Sequence, residues 1–141
     1  MTLVNDQCLE QLFREGRTLS HWLDTPVDDS LLHAVYDLAK MGPTSANCSP
    51  AHILFLRTPE AKKSLEPCLA EGNKAKTMAA PVTAVIAHDL DFPNMLPRLF
   101  PQADARSWFT GNEALIHSTA FRNSTLQGAY LMLAARAIGL E

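Results

Sequence analysis

The stretch GPTSANCSPAHILFL, residues 42–56, lies between a helix signal and a strand signal. Its first two residues, Gly42 and Pro43, are typical of a helix end. The unbroken apolar run at residues 53–56 predicts a buried strand. Between them, hydroxyl groups, an amide and free backbone N–H groups suit the edge of a planar heterocycle or a phosphate. An ordinary helix-to-strand connection also favours Pro, Ser and Asn, and the residues alone leave both interpretations open.

Two helices are predicted before this stretch. Asn5 and Asp6 can cap the first, which carries the helically spaced apolar residues Leu9, Leu12 and Phe13. The second begins after Asp28 and carries a one-sided apolar stripe formed by Leu31, Leu32, Val35 and Leu38. A loop over residues 15–26 separates the two.

Four further elements are predicted after it. They are a helix at residues 59–71 that Pro67 shortens, a second buried strand at residues 82–87, a proline-containing loop at residues 89–101 and a long helix at residues 118–138. The apolar face of the long helix is expected to contain Phe121, Leu126, Ala129, Leu133 and Ala137. Gly139 is suited to end it.

The composition predicts one ordinary globular domain. The chain has 141 residues, of which 47% are hydrophobic and 19% charged, and a net charge of −3. Scattered Lys and Arg argue against a nucleic-acid partner, and no apolar run is long enough to span a bilayer. The first ten residues lack a signal-peptide pattern, which predicts a cytoplasmic protein. Three distant cysteines without a CxxC pair predict reduced thiols.

Two short segments carry side chains that suit an anionic, planar ligand. Arg17-Thr18, in the loop after the first helix, can hold a phosphate through charge-assisted bonds and a hydroxyl. Asn73 and Lys76 can face the same way on a helical turn, where the amide reads a ring edge and the lysine stabilises negative charge. A solvated surface is the general alternative for both segments, and each alone is a weak signal.

Metal and hydrolytic chemistry receive little support from the sequence. The five histidines never pair at i, i+3 or i+4, and HExxH, CxxC and carboxylate clusters are absent, so no metal site is predicted. The patterns GxSxG, GxGxxG and the P-loop are absent too. A nucleophilic Cys48 in its polar loop is the remaining alternative, although nothing in the sequence indicates a lowered pKa.

In order along the chain, these segments resemble motifs of the nitroreductase superfamily, and in particular of its malonic semialdehyde reductase branch. The motif Arg-Arg-Ser-x-Arg-x-Phe is matched by residues 16–22, in which Gly16 and Ser20 depart from the basic positions. The motif Pro-Ser-x-x-Asn-x-Gln-Pro-Trp is matched by residues 43–51, and Asn-x-x-Lys by Asn73 and Lys76. Similar stretches of the same branch are residues 79–82, 96–101, 103–108, 121–124 and 126–129.

The resemblance implies an α+β nitroreductase-like fold, with a central, mostly antiparallel sheet flanked by helices. It also implies FMN bound at a homodimer interface, with NADPH or NADH as co-substrate and a small-molecule second substrate. In this interpretation Arg17 and Thr18 hold the phosphate and ribityl region, and Asn73 and Lys76 address the isoalloxazine edge. The opposite subunit lines the flavin with Pro43, Thr44, Ser45 and Asn47. No side chain is implied as a catalytic base.

The activity implied by the branch is NAD(P)H-dependent reduction of malonic semialdehyde (3-oxopropanoate) to 3-hydroxypropionate in pyrimidine degradation. The alternatives are a broad nitro, quinone or dehalogenating flavin reductase and an inactive, truncated flavin-binding fragment. Family members continue after the long helix. We therefore expect residues 1–141 to form a single domain that is incomplete at its C-terminus, with weak FMN binding and low stability.

Overall fold

A computed structural model describes residues 3–140 of the chain. Its helices are α1 (Asp6–Leu9, continued by a π-helical turn at Glu10–Arg14), α2 (Asp29–Ala39), α3 (Pro59–Leu65), α4 (Glu71–Ala79), α5 (Leu96–Leu99) and α6 (Glu113–Ala137). The strands are β1 (Ala51–Leu56) and β2 (Thr83–His88). Short 3₁₀ turns lie at Ser45–Asn47, Glu66–Cys68, Phe92–Met95 and Ala105–Phe109. None of the helices within residues 3–140 combines the length and apolarity needed to cross a membrane.

β1 and β2 form an antiparallel pair in which Ile53 lies opposite Ile86 and Leu54 opposite Val85. The face of β1 with Ile53 and Phe55 packs against the core residues of α2 and α6. On the other face Leu54 is 59% exposed. The prediction of a buried strand is therefore wrong for Leu54, because α6 covers only one side of the sheet. β2 is likewise only partly buried.

α2 packs on α6 through Val35 and Ala39, which contact the buried residues Leu131 and Ala134. Together with Leu32, these α2 residues recur at i, i+3 and i+7, as expected for one side of a helix. The predicted stripe included Leu38, which is 50% exposed. That part of the prediction is wrong because the following residue, Ala39, occupies the side that faces α6.

α6 begins at Glu113, earlier than predicted, because Oδ1 of Asn112 caps it by accepting the Leu115 N–H at 3.0 Å. The predicted apolar face is wrong for three of its five residues: Phe121 is 58% exposed, and Leu126 and Ala137 are exposed too. Its other two residues, Ala129 and Leu133, are half-buried. The buried residues are instead mostly small or polar: Ala120, Asn123, Ser124, Leu131 and Ala134. Small side chains allow close packing at this face, and Asn123 bonds a backbone N–H in the loop before β1. Within the described residues, the buried hydroxyl of Ser124 has no hydrogen-bond partner.

The loop predicted at residues 89–101 is instead a 3₁₀ turn followed by α5. Each of these two turns begins with a proline in its first positions, where no intrahelical N–H is required. Their Phe92 and Leu96 side chains are buried in a cluster with Cys48, Ala105, Phe109 and Ala120. The segment therefore supplies core residues, which its prolines concealed.

Several predicted helix ends are confirmed. Oδ1 of Asn5 accepts the Cys8 N–H at 2.8 Å and caps α1. α3 ends before Pro67, which lies in a 3₁₀ turn. Gly139 has a φ of 85° after α6, and the Leu140 N–H donates to the Ala135 carbonyl at 2.9 Å. This is the hydrogen-bond pattern of a Schellman C-cap.

Candidate functional site

The loop at residues 43–50 has an unusual backbone. Three of its non-glycine residues have positive φ angles: Ala46 at 49°, Asn47 at 51° and Ser49 at 40°. Such conformations cost on the order of 1–3 kcal/mol each and persist only where surrounding contacts enforce them. A plain helix-to-strand connection has no need of them, so they favour the functional interpretation of the loop.

Three polar side chains of α6 enforce this conformation. Oδ1 of Asn123 accepts the Ser45 N–H at 2.9 Å, and Oε1 of Gln127 accepts the Ala51 N–H at 2.8 Å. The Tyr130 hydroxyl donates to the Pro43 carbonyl at 2.9 Å. These three residues are spaced by four and three positions, which places them on one side of α6.

Sequence reasoning missed this group, here called the α6 triad (Asn123, Gln127 and Tyr130). Its signal is present in the sequence, because three hydrogen-bonding side chains recur at i, i+4 and i+7 of a mainly apolar helix. The signal is ambiguous, since a solvated polar side of a helix has the same spacing. Only the position of the loop distinguishes the two.

The other side of the loop is held from within and from α5. Nδ2 of Asn47 donates to the Leu99 carbonyl at 2.9 Å, and the Ser49 N–H donates to Oγ1 of Thr44 at 3.1 Å. Cys48 and Pro50 are fully buried. Among the predicted flavin residues of the loop, Pro43, Ser45 and Asn47 are exposed and Thr44 is half-buried. The loop thus combines a fixed backbone with an accessible polar surface.

Cys48 is poorly suited to be a nucleophile. It is buried in the cluster formed with Phe92 and Leu96. This burial raises the pKa of the Cys48 thiol above its ordinary value, and a hydrogen bond with Thr44 offsets the rise only in part. A raised pKa disfavours the reactive thiolate. In residues 3–140, no three His, Cys, Asp or Glu side chains are grouped so that they could hold a metal ion.

The Arg17-Thr18 pair lies at the C-terminal end of α6. Both residues are exposed, and Nη1 of Arg17 donates to the Arg14 and Gly16 carbonyls, each at 2.9 Å. Within residues 3–140, no carboxylate forms an ion pair with Arg17. A guanidinium held by backbone carbonyls and without a counter-charge fits an anionic ligand.

Asn73 and Lys76 lie three residues apart on α4 and share one side of it, as predicted. Asn73 is exposed and Lys76 is half-buried. The Lys76 carbonyl accepts the indole N–H of Trp22 at 2.7 Å. This bond joins α4 to the loop that follows Arg17 and Thr18, so these two motifs are structurally linked.

α6 lies between two parts of the predicted flavin site. On one side are the Arg17-Thr18 and Asn73/Lys76 motifs, and on the other is the loop at residues 43–50. Gln127 contacts Ala51 directly after the loop, and Arg136, nine positions later, contacts the segment next to Arg17. At about 3.6 residues per turn, nine positions are two and a half turns, which places the two contacts on opposite sides of the helix. Within one chain the predicted flavin residues therefore form two separate groups.

A cleft of about 790 Å³ lies between residues 22–27 and the ends of α3 and α4. It contains two cationic side chains, Arg57 and Lys62. Arg57 pairs with Asp29 and donates to the Val27 carbonyl at 2.6 Å. Buried Lys62 donates to the Ala80 carbonyl at 2.5 Å and the Met78 carbonyl at 3.0 Å. Because both cations already hold backbone in place, we assign them to the fold.

Similar proteins were found among known sequences and structures, although no protein-family model matches the chain. A Burkholderia lata protein, provisionally named NADH dehydrogenase/NAD(P)H nitroreductase, is 63% identical over 141 residues, which are 100% of this chain and 72% of that protein. A crystal structure of a provisionally assigned Bacillus subtilis nitroreductase has a TM-score of 0.82 at 18% identity, covering 93% of this chain and 71% of that one. One from Exiguobacterium sibiricum in complex with FMN has a TM-score of 0.81 at 18% identity, covering 99% and 74%.

The structural matches identify the nitroreductase fold and confirm the predicted α+β class. The sequence match extends over the whole chain and over more than two thirds of the relative. The chain therefore belongs to the nitroreductase family of NAD(P)H-dependent flavin oxidoreductases.

Proposed function

We propose that this chain binds FMN and uses NADPH or NADH to reduce a small molecule. We also propose that residues 1–141 belong to one domain and that the protein works in the cytoplasm. When bound, FMN supplies the two-electron chemistry, and the protein holds and orients it. The donor set fits this cofactor. An exposed guanidinium beside a hydroxyl suits a phosphate, and a fixed polar loop suits a planar ring.

We assign Arg17 and Thr18 to the phosphate and ribityl chain. Asn73 and Lys76 are assigned to the isoalloxazine edge, where an amide can match donors and acceptors and an ammonium group stabilises negative charge. The hydrogen bond from Trp22 to Lys76 supports this assignment, because it keeps both pairs on the same part of the molecule.

A homodimer with two flavin sites at its interface is proposed because the predicted flavin residues form two separate groups within one chain. α6 separates the group containing Arg17 from the loop with Pro43, Thr44, Ser45 and Asn47. A twofold axis can bring the loop of one copy to Arg17 of the other, and each copy then completes the partner's site. Exposed apolar side chains on α6, including Phe121, Leu126 and Met132, support an interface along this helix.

For the second substrate we propose malonic semialdehyde. Its aldehyde accepts two electrons and two protons to become the alcohol of 3-hydroxypropionate, while NAD(P)H and one solvent proton are consumed and NAD(P)⁺ is released. The support is the resemblance of several stretches, such as residues 121–124, to that branch. A broad nitro, quinone or dehalogenating reductase is the second candidate, favoured by the nitroreductase name of the Burkholderia lata relative.

The test is a titration of the purified chain with FMN, followed by steady-state oxidation of NADPH and NADH. Malonic semialdehyde, a nitroarene, a quinone and a halogenated phenol are compared as second substrates. Faster turnover of malonic semialdehyde than of the other three substrates supports a malonic semialdehyde reductase. Faster turnover of the nitroarene, quinone or halogenated phenol supports a broad flavin reductase. FMN binding without turnover supports the flavin-binding fragment. A colourless protein that binds no FMN and oxidises neither nucleotide contradicts the flavin assignment altogether.

A further inference from the structure

Gly16 is the point at which the end of α6 meets the segment that contains Arg17. A Cβ atom at residue 16 would lie 2.8 Å from Nη2 of Arg136 and would overlap Cζ and Nη1 of the same guanidinium. The φ of Gly16 is not positive. A side chain at residue 16 would therefore displace the guanidinium of Arg136, whereas the backbone freedom of glycine is not needed there.

Arg136 is fixed in this position by the π-helical turn at Glu10–Arg14. Its Nη1 donates to the Leu12 carbonyl at 3.2 Å, and its own carbonyl accepts from Nε2 of Gln11 at 2.6 Å. A guanidinium carries five N–H donors in a planar fork. The bond to Leu12 therefore leaves most of the donors of Arg136 for a ligand.

Arg17 contacts the same glycine through the Gly16 carbonyl, at 2.9 Å. Within the described part of the chain, neither Arg17 nor Arg136 forms an ion pair, whereas the nearby Arg14 pairs with Glu10 at 2.6 Å. Two guanidinium groups that share one neighbour repel each other. An anion bound between them removes this repulsion and adds charge-assisted hydrogen bonds.

We propose that Arg136 binds the phosphate of FMN together with Arg17 and Thr18. In the motif Arg-Arg-Ser that residues 16–18 resemble, the first arginine corresponds to Gly16. The guanidinium of Arg136 occupies the volume where a side chain at residue 16 would begin, so α6 supplies the charge that this chain lacks at residue 16. This proposal rests on the proposed function, because it takes FMN as the ligand, and it extends the ligand set to a phosphate monoester site with two arginines.

The test compares FMN with riboflavin, which has the same ring and ribityl chain but no phosphate. The ratio of the two dissociation constants therefore isolates the phosphate site. We expect Arg136→Gln to weaken FMN binding roughly ten- to a hundredfold, as for loss of a charged hydrogen-bonding partner, and to leave riboflavin binding unchanged. Arg106→Gln is the matched control, because it makes the same charge change at an exposed position in the Ala105–Phe109 turn.

A second variant moves the guanidinium back to the position that it has in the motif. Gly16→Arg combined with Arg136→Ala is expected to restore the preference for FMN over riboflavin that Arg136→Gln loses. Gly16→Ala alone is expected to displace Arg136 and to reduce the preference. Circular dichroism spectra and thermal midpoints of all variants show whether each is folded, and the exchange variant tests the proposal even if Arg136→Gln is unstable.

The outcomes separate this proposal from the proposed function. If the unchanged chain binds neither FMN nor riboflavin, the flavin assignment fails and this proposal fails with it. If it binds FMN and a folded Arg136→Gln variant keeps the full preference for FMN, only the role of Arg136 is overturned. Loss of the preference in Arg136→Gln and its return in the exchange variant support the proposal.

Discussion

The backbone N–H of Ser45 donates to Oδ1 of Asn123 at 2.9 Å, across 78 positions of sequence. Asn123 is only 3% exposed, and its Nδ2 donates to the Thr119 carbonyl at 2.8 Å. The amide therefore joins the middle of α6 to the loop that carries three strained residues. With the other members of the α6 triad it offsets the cost of the loop conformation, so α6 determines the shape of the candidate flavin surface.

Asn123→Ala is expected to destabilise the fold by about 1–3 kcal/mol, because the Ser45 N–H and the Thr119 carbonyl lose the buried amide that they bond. FMN affinity should fall as well, since the loop is no longer held. Urea unfolding and FMN titration measure the two effects. Asn94→Ala, at an exposed position, is the control. Equal stability and equal FMN affinity of the two variants would show that the bond to Ser45 has no such role.

Gly42→Ala should be destabilising for a steric reason. A Cβ atom at residue 42 would lie 2.5 Å from Cγ and Cε2 of Tyr130, whose hydroxyl holds the Pro43 carbonyl. Overpacking of this kind costs about 1–3 kcal/mol. Gly72→Ala is the control with the opposite sign, because it has no neighbour within 4 Å and lies in α4, where alanine is the better helix former. Thermal midpoints that move in the same direction for both variants would contradict this account.

Lys62→Met is expected to lower stability by about 1–3 kcal/mol, although methionine is apolar and of similar length. The ammonium group of Lys62 satisfies the Met78 and Ala80 carbonyls at the end of α4, and these acceptors would be left without a partner. Lys63→Met is the control, because Lys63 is exposed on the same helix. Chemical denaturation of both variants gives the difference. A more stable Lys62→Met variant would show that apolar packing at residue 62 stabilises the fold more than the two hydrogen bonds from Lys62 do.

The buried Cys48 thiol predicts a loss of stability at alkaline pH. Burial raises the pKa of Cys48 above its ordinary value of 9.0. Well below pH 9.0 the thiol is protonated in both states, and as the pH rises through this value the unfolded chain releases its proton first. The free energy of unfolding should therefore fall between the unfolded and folded pKa values. Cys48→Ala should abolish that fall, whereas the exposed control Cys68→Ala should keep it.

Local sequence signals predicted α1, α2, α3, both strands and the end of α6, but missed α4, α5 and the start of α6. Caps such as Asn5 and Gly139 act within a few residues, so their effect is visible in sequence. The buried side of a helix depends on its partner surface, and hydrophobicity alone misplaced Phe121 and Leu126. Asn123 is buried because it bonds a distant backbone amide.

The candidate site shows the same difference between features predicted from local sequence and features that depend on distant contacts. Arg17, Asn47 and Lys76 were predicted as flavin residues from motif resemblance, which carries information beyond local physics. The contact of Arg136 with Gly16 joins positions 120 apart. No local pattern predicts such a contact. The absence of a side chain at Gly16 can be interpreted only when the position of α6 is known.

In the proposed homodimer, Arg17 and the loop at residues 43–50 reach the same flavin only across two copies of the chain. The most direct measurement mixes two variants, Arg17→Glu and Ser45→Glu, under conditions that allow subunits to exchange. Each variant alone should bind FMN poorly, because every site carries one repulsive carboxylate. In a mixed dimer one site carries both changes and the other none, so we expect FMN binding to recover on mixing and not when either variant is mixed with itself. FMN binding that stays absent after demonstrated subunit exchange would place Arg17 and Ser45 of the same chain at one site and contradict the account.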